Sequence, residues 1–199
     1  MPALHRPNYM FFPGTRWYMP TDLDTQGTAS EGWKLHIVAR AEDAQTTLDA
    51  ICENVLYPDR VAHKFWQNTD PITDENDRNG GKWFVVYPNS ILHAFRLCTE
   101  ITIIMRFLGL APAPRPIPHE LQITPWVCTR YGSYSFHGVQ DGQGGWRADN
   151  RMESHPPHIN NPWGQYAQYA QGSENMTLDP SMVGSFPSYT MREIPQAFH

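Results

Sequence analysis

The segment of this 199-residue chain that most constrains its fold is the run GWKLHIVA at residues 32–39. Polar and apolar side chains alternate along it, which predicts a β-strand. The period of two puts Lys34 and His36 on one face and Leu35 and Ile37 on the other, toward a core. A cation beside an imidazole on a rigid strand suits an enzyme that binds an anion and passes it a proton. A solvated strand edge is the alternative if this strand stands alone.

Composition excludes several classes of function. The formal net charge is −5, so no basic surface for nucleic acid is expected. No apolar run has the length of a membrane span, and the first residues lack the apolar core of a signal peptide. The three cysteines are scattered without a C-x-x-C pair, so no disulfide framework is expected. Prolines separate the two histidines of 155–158, so no metal site is expected there. We therefore expect a cytoplasmic protein without nucleic-acid or membrane partners.

The pattern along the chain predicts an α+β fold. After the first strand we expect a helix from Glu42 to Tyr57, strands at 61–66 and 82–87, a helix from Ile91 to Leu108, and strands at 123–128 and 131–139. This order predicts a single domain in which an antiparallel or mixed sheet packs on two main helices, with an irregular C-terminal tail. The expected divisions are an irregular N-terminal lead-in at 1–30, the folded domain at 31–165 and a flexible tail at 166–199.

Four further polar residues lie on or next to the later strands. Lys64 lies on the second strand, Arg78 precedes the third, Tyr87 ends the third, and Arg130 begins the last strand pair. Strand ends of one sheet can converge, so these side chains and the first pair are candidates to bind a small dianion. Each taken alone also has an ordinary interpretation as a solvated surface or strand-cap residue.

In order and residue type these motifs resemble the phosphothreonine/phosphoserine lyase family. The likeness is closest to the lyase domain of class III and class IV lanthipeptide synthetases, and more distant to the phosphothreonine lyases that bacterial pathogens secrete. It covers about residues 30–165. The motifs that carry it are GWKLHI at 32–37, KF at 64–65, GKWFVVYP at 81–88, RYG at 130–132 and a closing segment at 149–163.

The resemblance implies β-elimination of phosphate from phosphoserine or phosphothreonine, which leaves dehydroalanine or dehydrobutyrine. It implies a phosphorylated precursor peptide as substrate, a separate Ser/Thr kinase as partner, and no metal or organic cofactor. Two alternatives stay open. The same cationic site would also suit a phosphopeptide-binding module without turnover, or an effector-type lyase that acts on a phosphorylated protein kinase.

The resemblance makes Lys64 the general base that removes the α-proton. Only a neutral amine can do so, and the pKa of the lysine must fall from about 10.4 toward about 7. The expected causes are burial against Phe65 and Trp66 and the nearby positive charges of Lys34 and Arg78. His36 is the expected acid, because a bound dianion raises the pKa of an imidazole.

The remaining residues are expected to hold charge. Arg78 and Arg130 suit the phosphate, since a guanidinium binds its oxygens in pairs. Lys34 could serve the phosphate or the substrate carbonyl oxygen, and Tyr87 could bind the phosphate or orient the base.

The family also tends to carry one more phosphate-binding arginine near Arg130. Upstream, where such a residue would stand, the chain has Glu120. Downstream, Arg147 or Arg151 could substitute for it, and we take Arg147 as the candidate.

Overall fold

The fold is a seven-stranded sheet with helices packed on one face. The structure, a computed structural model, describes residues 4, 9–11, 16–20, 31–73, 80–112, 117, 120–133, 139–140, 146–147 and 161–171. The strands are β1 Tyr9–Phe11, β2 Trp17–Pro20, β3 Glu31–Ile37, β4 Ala62–Trp66, β5 Phe84–Tyr87, β6 Leu121–Thr124 and β7 Val127–Ser133, in the spatial order β1-β2-β4-β5-β3-β7-β6, and β8 Val139–Gln140 and β9 Trp146–Arg147 form a separate pair. Each described strand pair is antiparallel.

Helices cover the face of the sheet that carries the apolar half of the alternating strand. They are a 3-10 turn Ala41–Asp43, α1 Ala44–Ile51, a π-helical turn Cys52–Leu56, α2 Asp70–Thr73, α3 Ile91–Phe107 and a second 3-10 turn Pro162–Gln165. The side chains of Leu35 and Ile37 are fully buried in the core that α1 and α3 share with the sheet. The α+β fold predicted from the sequence is confirmed. No helix in the described part of the chain is long and apolar enough to cross a bilayer.

The N-terminal segment contributes to the sheet instead of being irregular throughout. Strands β1 and β2 pair with each other, and β2 pairs with β4 in a register that sets Trp17 opposite Trp66 and Tyr18 opposite Phe65. The ring of Tyr18 stacks on that of Phe65 with centroids 5.4 Å apart. Cross-strand aromatic pairs of this kind stabilise a sheet. The prolines near these two strands obscure their alternating pattern, so the amino-acid sequence did not predict them.

The prediction of a single strand at 123–128 is wrong, because a turn interrupts this segment. Strand β6 ends at Thr124, residues 125–126 form the turn, and β7 begins at Val127. Pro125 has no N–H to donate to a ladder, and the carbonyl of Trp126 accepts from the backbone N–H of Val38. Arg130 consequently lies in the middle of β7, whereas we expected it to begin a strand pair.

The expected tail boundary at 165 falls inside a packed segment. Residues 162–171 are helical, and the side chains of Trp163 and Tyr166 are buried. Both rings contact Phe95 of α3, at centroid distances of 5.1 and 5.5 Å. Aromatic burial therefore carries the folded body at least to residue 171, while residues 172–199 lie outside the described part.

Candidate functional site

The predicted base and acid flank a single residue on the face of the sheet opposite the helices. The register sets Lys64 of β4 directly opposite Val85 of β5, and it sets His36 of β3 opposite the same Val85. Residues directly opposite in an antiparallel pair project from the same face. Neighbouring strands lie about 4.8 Å apart, so the two backbones are separated by about 10 Å. Both side chains therefore project from one face of the sheet, with Val85 between them.

Lys64, Val85 and His36 form one row across the strands, and a second row, of polar residues, lies beside it. Lys34 is directly opposite Arg130 of β7, and extending the β3–β5 register by one residue sets Lys34 opposite Tyr87. Since Lys34 is two residues before His36, its side chain is on the same face. The expected pairing of Lys34 with His36 on one side of the strand is what the structure has.

Glu120, just before β6, is the central residue that sequence reasoning missed. Its carboxylate is 1% exposed, and Oε2 lies 2.5 Å from Nδ1 of His36. Its other oxygen, Oε1, lies 3.3 Å from Nζ of Lys82 and 3.7 Å from Nε of Arg130. Where an additional arginine was expected, the chain instead places a carboxylate that balances three cationic or titratable groups. No local pattern reveals this, because 84 residues separate His36 from Glu120.

Burial and charge set the protonation of this pair. Burial by itself raises the pKa of Glu120, but His36, Lys82 and Arg130 outweigh it and hold the pKa of the carboxyl below its usual range. Burial lowers the pKa of His36, against the opposing effect of Glu120. The resting pair is therefore a carboxylate that accepts the Nδ1–H of a neutral imidazole, a tautomer assigned from this hydrogen bond. A phosphate dianion nearby would favour the imidazolium.

The amine of Lys64 is shifted toward the neutral form. Burial, followed by the charge of Arg130, lowers the pKa of Lys64 to about 8. The expected contribution of Phe65 is wrong, because Phe65 is adjacent to Lys64 on β4 and its ring therefore projects from the opposite face of the sheet. The groups over the amine are instead the rings of Trp17 and Tyr87, whose centroids lie 4.4 and 5.8 Å from Nζ.

Lys34 is shifted further than Lys64. Burial, then the charges of Arg130 and Lys64, lower the pKa of Lys34 to about 7, while Glu120 opposes the change. The site thus contains two amines that can lose a proton near neutral pH. Either amine has the chemistry of a base. Lys64 is the better candidate because it lies opposite the same residue, Val85, as His36 does.

Two predicted phosphate ligands have no described side chain. Arg78 lies outside the described residues, and so does Arg151. Arg147 is in β9, but only its backbone is described. Arg130 is therefore the one predicted arginine that the described part of the chain brings to the site. Its Nε is buried and faces Oε1 of Glu120 at 3.7 Å, while its side chain as a whole is 26% exposed.

In the ranges that the structure describes, no group of three or more His, Cys, Asp and Glu residues is arranged to hold an ion. The polar groups of the site are instead cations around one carboxylate, which suits an anionic ligand.

Fold and site together define an α+β protein that presents an imidazole, two readily deprotonated amines and a guanidinium on one face of its sheet. The family model described as the N-terminal domain of RamC matches residues 6–145, more than half of the chain. The chain belongs to this family, which is associated with the biosynthesis of lanthipeptide-type ribosomal peptides. No curated protein matches the chain.

Proposed function

We propose that the protein is a phosphoserine/phosphothreonine lyase. The observation that carries this proposal is the placement of Lys64 and His36 on either side of Val85, on one face of the sheet. A base and an acid at that separation can act on opposite ends of one phosphorylated side chain. A protein that only binds phosphate needs neither a deprotonated amine nor a proton donor.

The reaction needs no co-reactant. The neutral amine of Lys64 takes the proton from Cα of the phosphorylated residue, and that electron pair forms the Cα=Cβ double bond. The Cβ–O bond breaks and its electrons leave with the phosphate, which the imidazolium of His36 protonates. The products are a dehydroamino acid, inorganic phosphate, a lysine ammonium and a neutral imidazole; the ammonium returns its proton to water, and His36 regains a proton from water.

Charge that develops in this step has partners in the second row. The guanidinium of Arg130, which is 26% exposed, suits a phosphate oxygen, and Lys34 in its ammonium form suits either the phosphate or the enolate-like carbonyl oxygen. Glu120 holds the imidazole ring through Nδ1, so the other ring nitrogen carries the proton that is transferred.

The substrate we propose is a phosphorylated precursor peptide, supplied by a separate Ser/Thr kinase. Membership of a family associated with lanthipeptide-type peptide biosynthesis supports this choice over a phosphorylated protein kinase. The two are separated by offering the protein a precursor-like phosphopeptide and a folded phosphorylated kinase in parallel.

The test is mass spectrometry of phosphoserine and phosphothreonine peptides incubated with the protein and no added metal. We expect a product that has lost phosphoric acid. The control is Lys64→Met, which keeps the length of the side chain but has no amine; it should bind phosphopeptide and form no product. Recovery of plain serine would indicate a phosphatase. An unchanged peptide that nevertheless binds would favour the phosphopeptide-binding module, which the cations around Arg130 would also support.

A further inference from the structure

Within the described part of the chain, the amine of Lys64 is contacted by aromatic rings and not by hydrogen bonds. The indole of Trp17 lies 4.4 Å from Nζ and the phenol ring of Tyr87 lies 5.8 Å from it. Among the described residues, no carboxylate, carbonyl or hydroxyl forms a hydrogen bond or ion pair with this amine. Trp17 is the nearer of the two rings that lie over the amine.

The sheet itself delivers Trp17 to this place. Trp17 is directly opposite Trp66 in the β2–β4 register, and Trp66 is two residues after Lys64 on the same face. The indole of Trp17 meets that of Trp66 edge-on, with centroids 4.9 Å apart, and Trp66 is only 5% exposed. Strand pairing and a buried neighbour thus hold one face of the indole toward the amine.

A ring suits an amine that has to change its protonation state. A carboxylate beside Lys64 would stabilise the ammonium strongly and keep it from acting as a base. The face of an indole attracts the ammonium more weakly, by cation–π interaction, and it still packs against the neutral amine. It also keeps water from the amine, and burial is the main reason that the pKa of Lys64 is lowered.

We propose that Trp17, on the second N-terminal strand, is a positioning residue that places the Lys64 amine for proton abstraction. The inference rests on the proposed lyase function and deepens it, because it makes the N-terminal strands part of the active site. A fragment that begins at residue 31 would lack this contact.

The charged and titratable groups that the structure describes on the same face as Lys64 come from three other strands. They are Tyr87 on β5, His36 and Lys34 on β3, and Arg130 on β7, while the β2 residues that pack there, Trp17 and Met19, are uncharged. Changes confined to Trp17 leave those four groups in place, so their electrostatic effects on Lys64 are common to all variants.

Two substitutions of Trp17 should move the pKa of Lys64 in opposite directions. Trp17→Leu keeps an apolar cover but removes the ring, so the ammonium loses cation–π stabilisation and the pKa falls by roughly half to one pH unit. Trp17→Ala admits water, so burial weakens and the pKa rises toward its ordinary value. Trp17→Phe keeps a ring and should stay close to the unmodified protein. A merely structural role for Trp17 would not produce this pattern of signs.

The experiment measures Lys64 directly, by NMR titration of isotope-labelled lysine side chains in the full chain, with the signal assigned by its loss in Lys64→Met. In parallel, kcat and KM are measured on a phosphoserine peptide. We expect kcat to fall roughly ten- to a hundredfold in Trp17→Leu with little change in KM, because the amine is misplaced while the phosphate contacts remain. Trp17→Phe should restore most of kcat.

Tyr18→Leu is the matched control. Tyr18 is the next residue of the same strand, but its ring stacks on Phe65 on the helix face. Its loss should lower stability without moving the pKa of Lys64. The proposal is overturned if Trp17→Leu and Trp17→Ala move this pKa in the same direction or leave it unchanged, or if Tyr18→Leu moves it equally. Because the NMR titration needs no turnover, a protein that forms no dehydrated product refutes the lyase function separately.

Discussion

Replacing Glu120 with glutamine tests the charge arrangement of the site most sharply. The carboxylate is 1% exposed and accepts from Nδ1 of His36 at 2.5 Å. It also balances Lys82 at 3.3 Å and Arg130 at 3.7 Å. Glutamine keeps the shape and one acceptor oxygen, but it removes the negative charge. The substitution therefore isolates the contribution of charge from that of packing.

The magnitude follows from these contacts. A hydrogen bond to a charged group contributes about 1.5–3 kcal/mol, against about 1 kcal/mol for a neutral one. Lys82 and Arg130 are 23% and 26% exposed, so water partly compensates them once the carboxylate is gone. We expect Glu120→Gln to lower the free energy of unfolding by about 2 kcal/mol at pH 7. For a chain of this length that is a fall of about 4–8 °C in the melting temperature.

The effect has a defined pH dependence. The pKa of Glu120 in the folded protein lies below its ordinary value of 4.5. Its contribution to stability is therefore fully present above that ordinary value and is lost as the pH falls through the lower folded pKa. The difference between the two proteins should be largest near neutral pH and should shrink in acid. Denaturant unfolding followed by circular dichroism at several pH values measures it.

The control is Glu42→Gln, at an exposed position of the 3-10 turn before α1. It should change the free energy of unfolding by less than about 0.5 kcal/mol. The reasoning is refuted if Glu120→Gln is as mild as this control, or if its destabilisation is undiminished in acid. The variant should also lose lyase activity, because His36 without the carboxylate is harder to protonate.

Three further outcomes are expected. Arg130→Gln should weaken the binding of a phosphopeptide about ten- to a hundredfold by calorimetry, because a charged hydrogen bond is lost; unchanged affinity would remove Arg130 from the phosphate site. The pH profile of kcat/KM should rise through about 8 if Lys64 is the base, whereas a rise through about 7 that disappears in Lys34→Met would assign that role to Lys34. Inorganic phosphate should raise the melting temperature of the protein but not that of Arg130→Gln, and an equal rise in both would indicate binding elsewhere.

Local sequence pattern was sufficient to predict the strand that carries Lys34 and His36 and the long helix behind the sheet. The alternation in 32–39 predicted a strand with Lys34 and His36 on one side and buried Leu35 and Ile37 on the other, and the structure has this arrangement. The apolar stripe from Ile91 onward predicted the long helix, which spans Ile91–Phe107. These features depend on the backbone periods of strands and helices, which neighbouring residues reveal.

Elements with weak local signals were predicted less well. The aromatic and proline-rich first residues concealed two strands, and the turn at 125–126 divided a segment that looked continuous. In both places pairing with a distant strand decides the structure. The roles assigned to Arg78 and Arg147 remain predictions, because their side chains lie outside the described part of the chain.

The amino-acid sequence by itself determined which residues share a strand face and which family the chain resembles, since both are readable from order and spacing. Only the tertiary structure decided that β5 separates β3 from β4, and so that Lys64 and His36 face each other across Val85. It alone brought Glu120 to His36 and Trp17 to Lys64. Strand order and such distant contacts depend on how apolar faces from the whole chain pack together, and no short stretch of sequence contains that information.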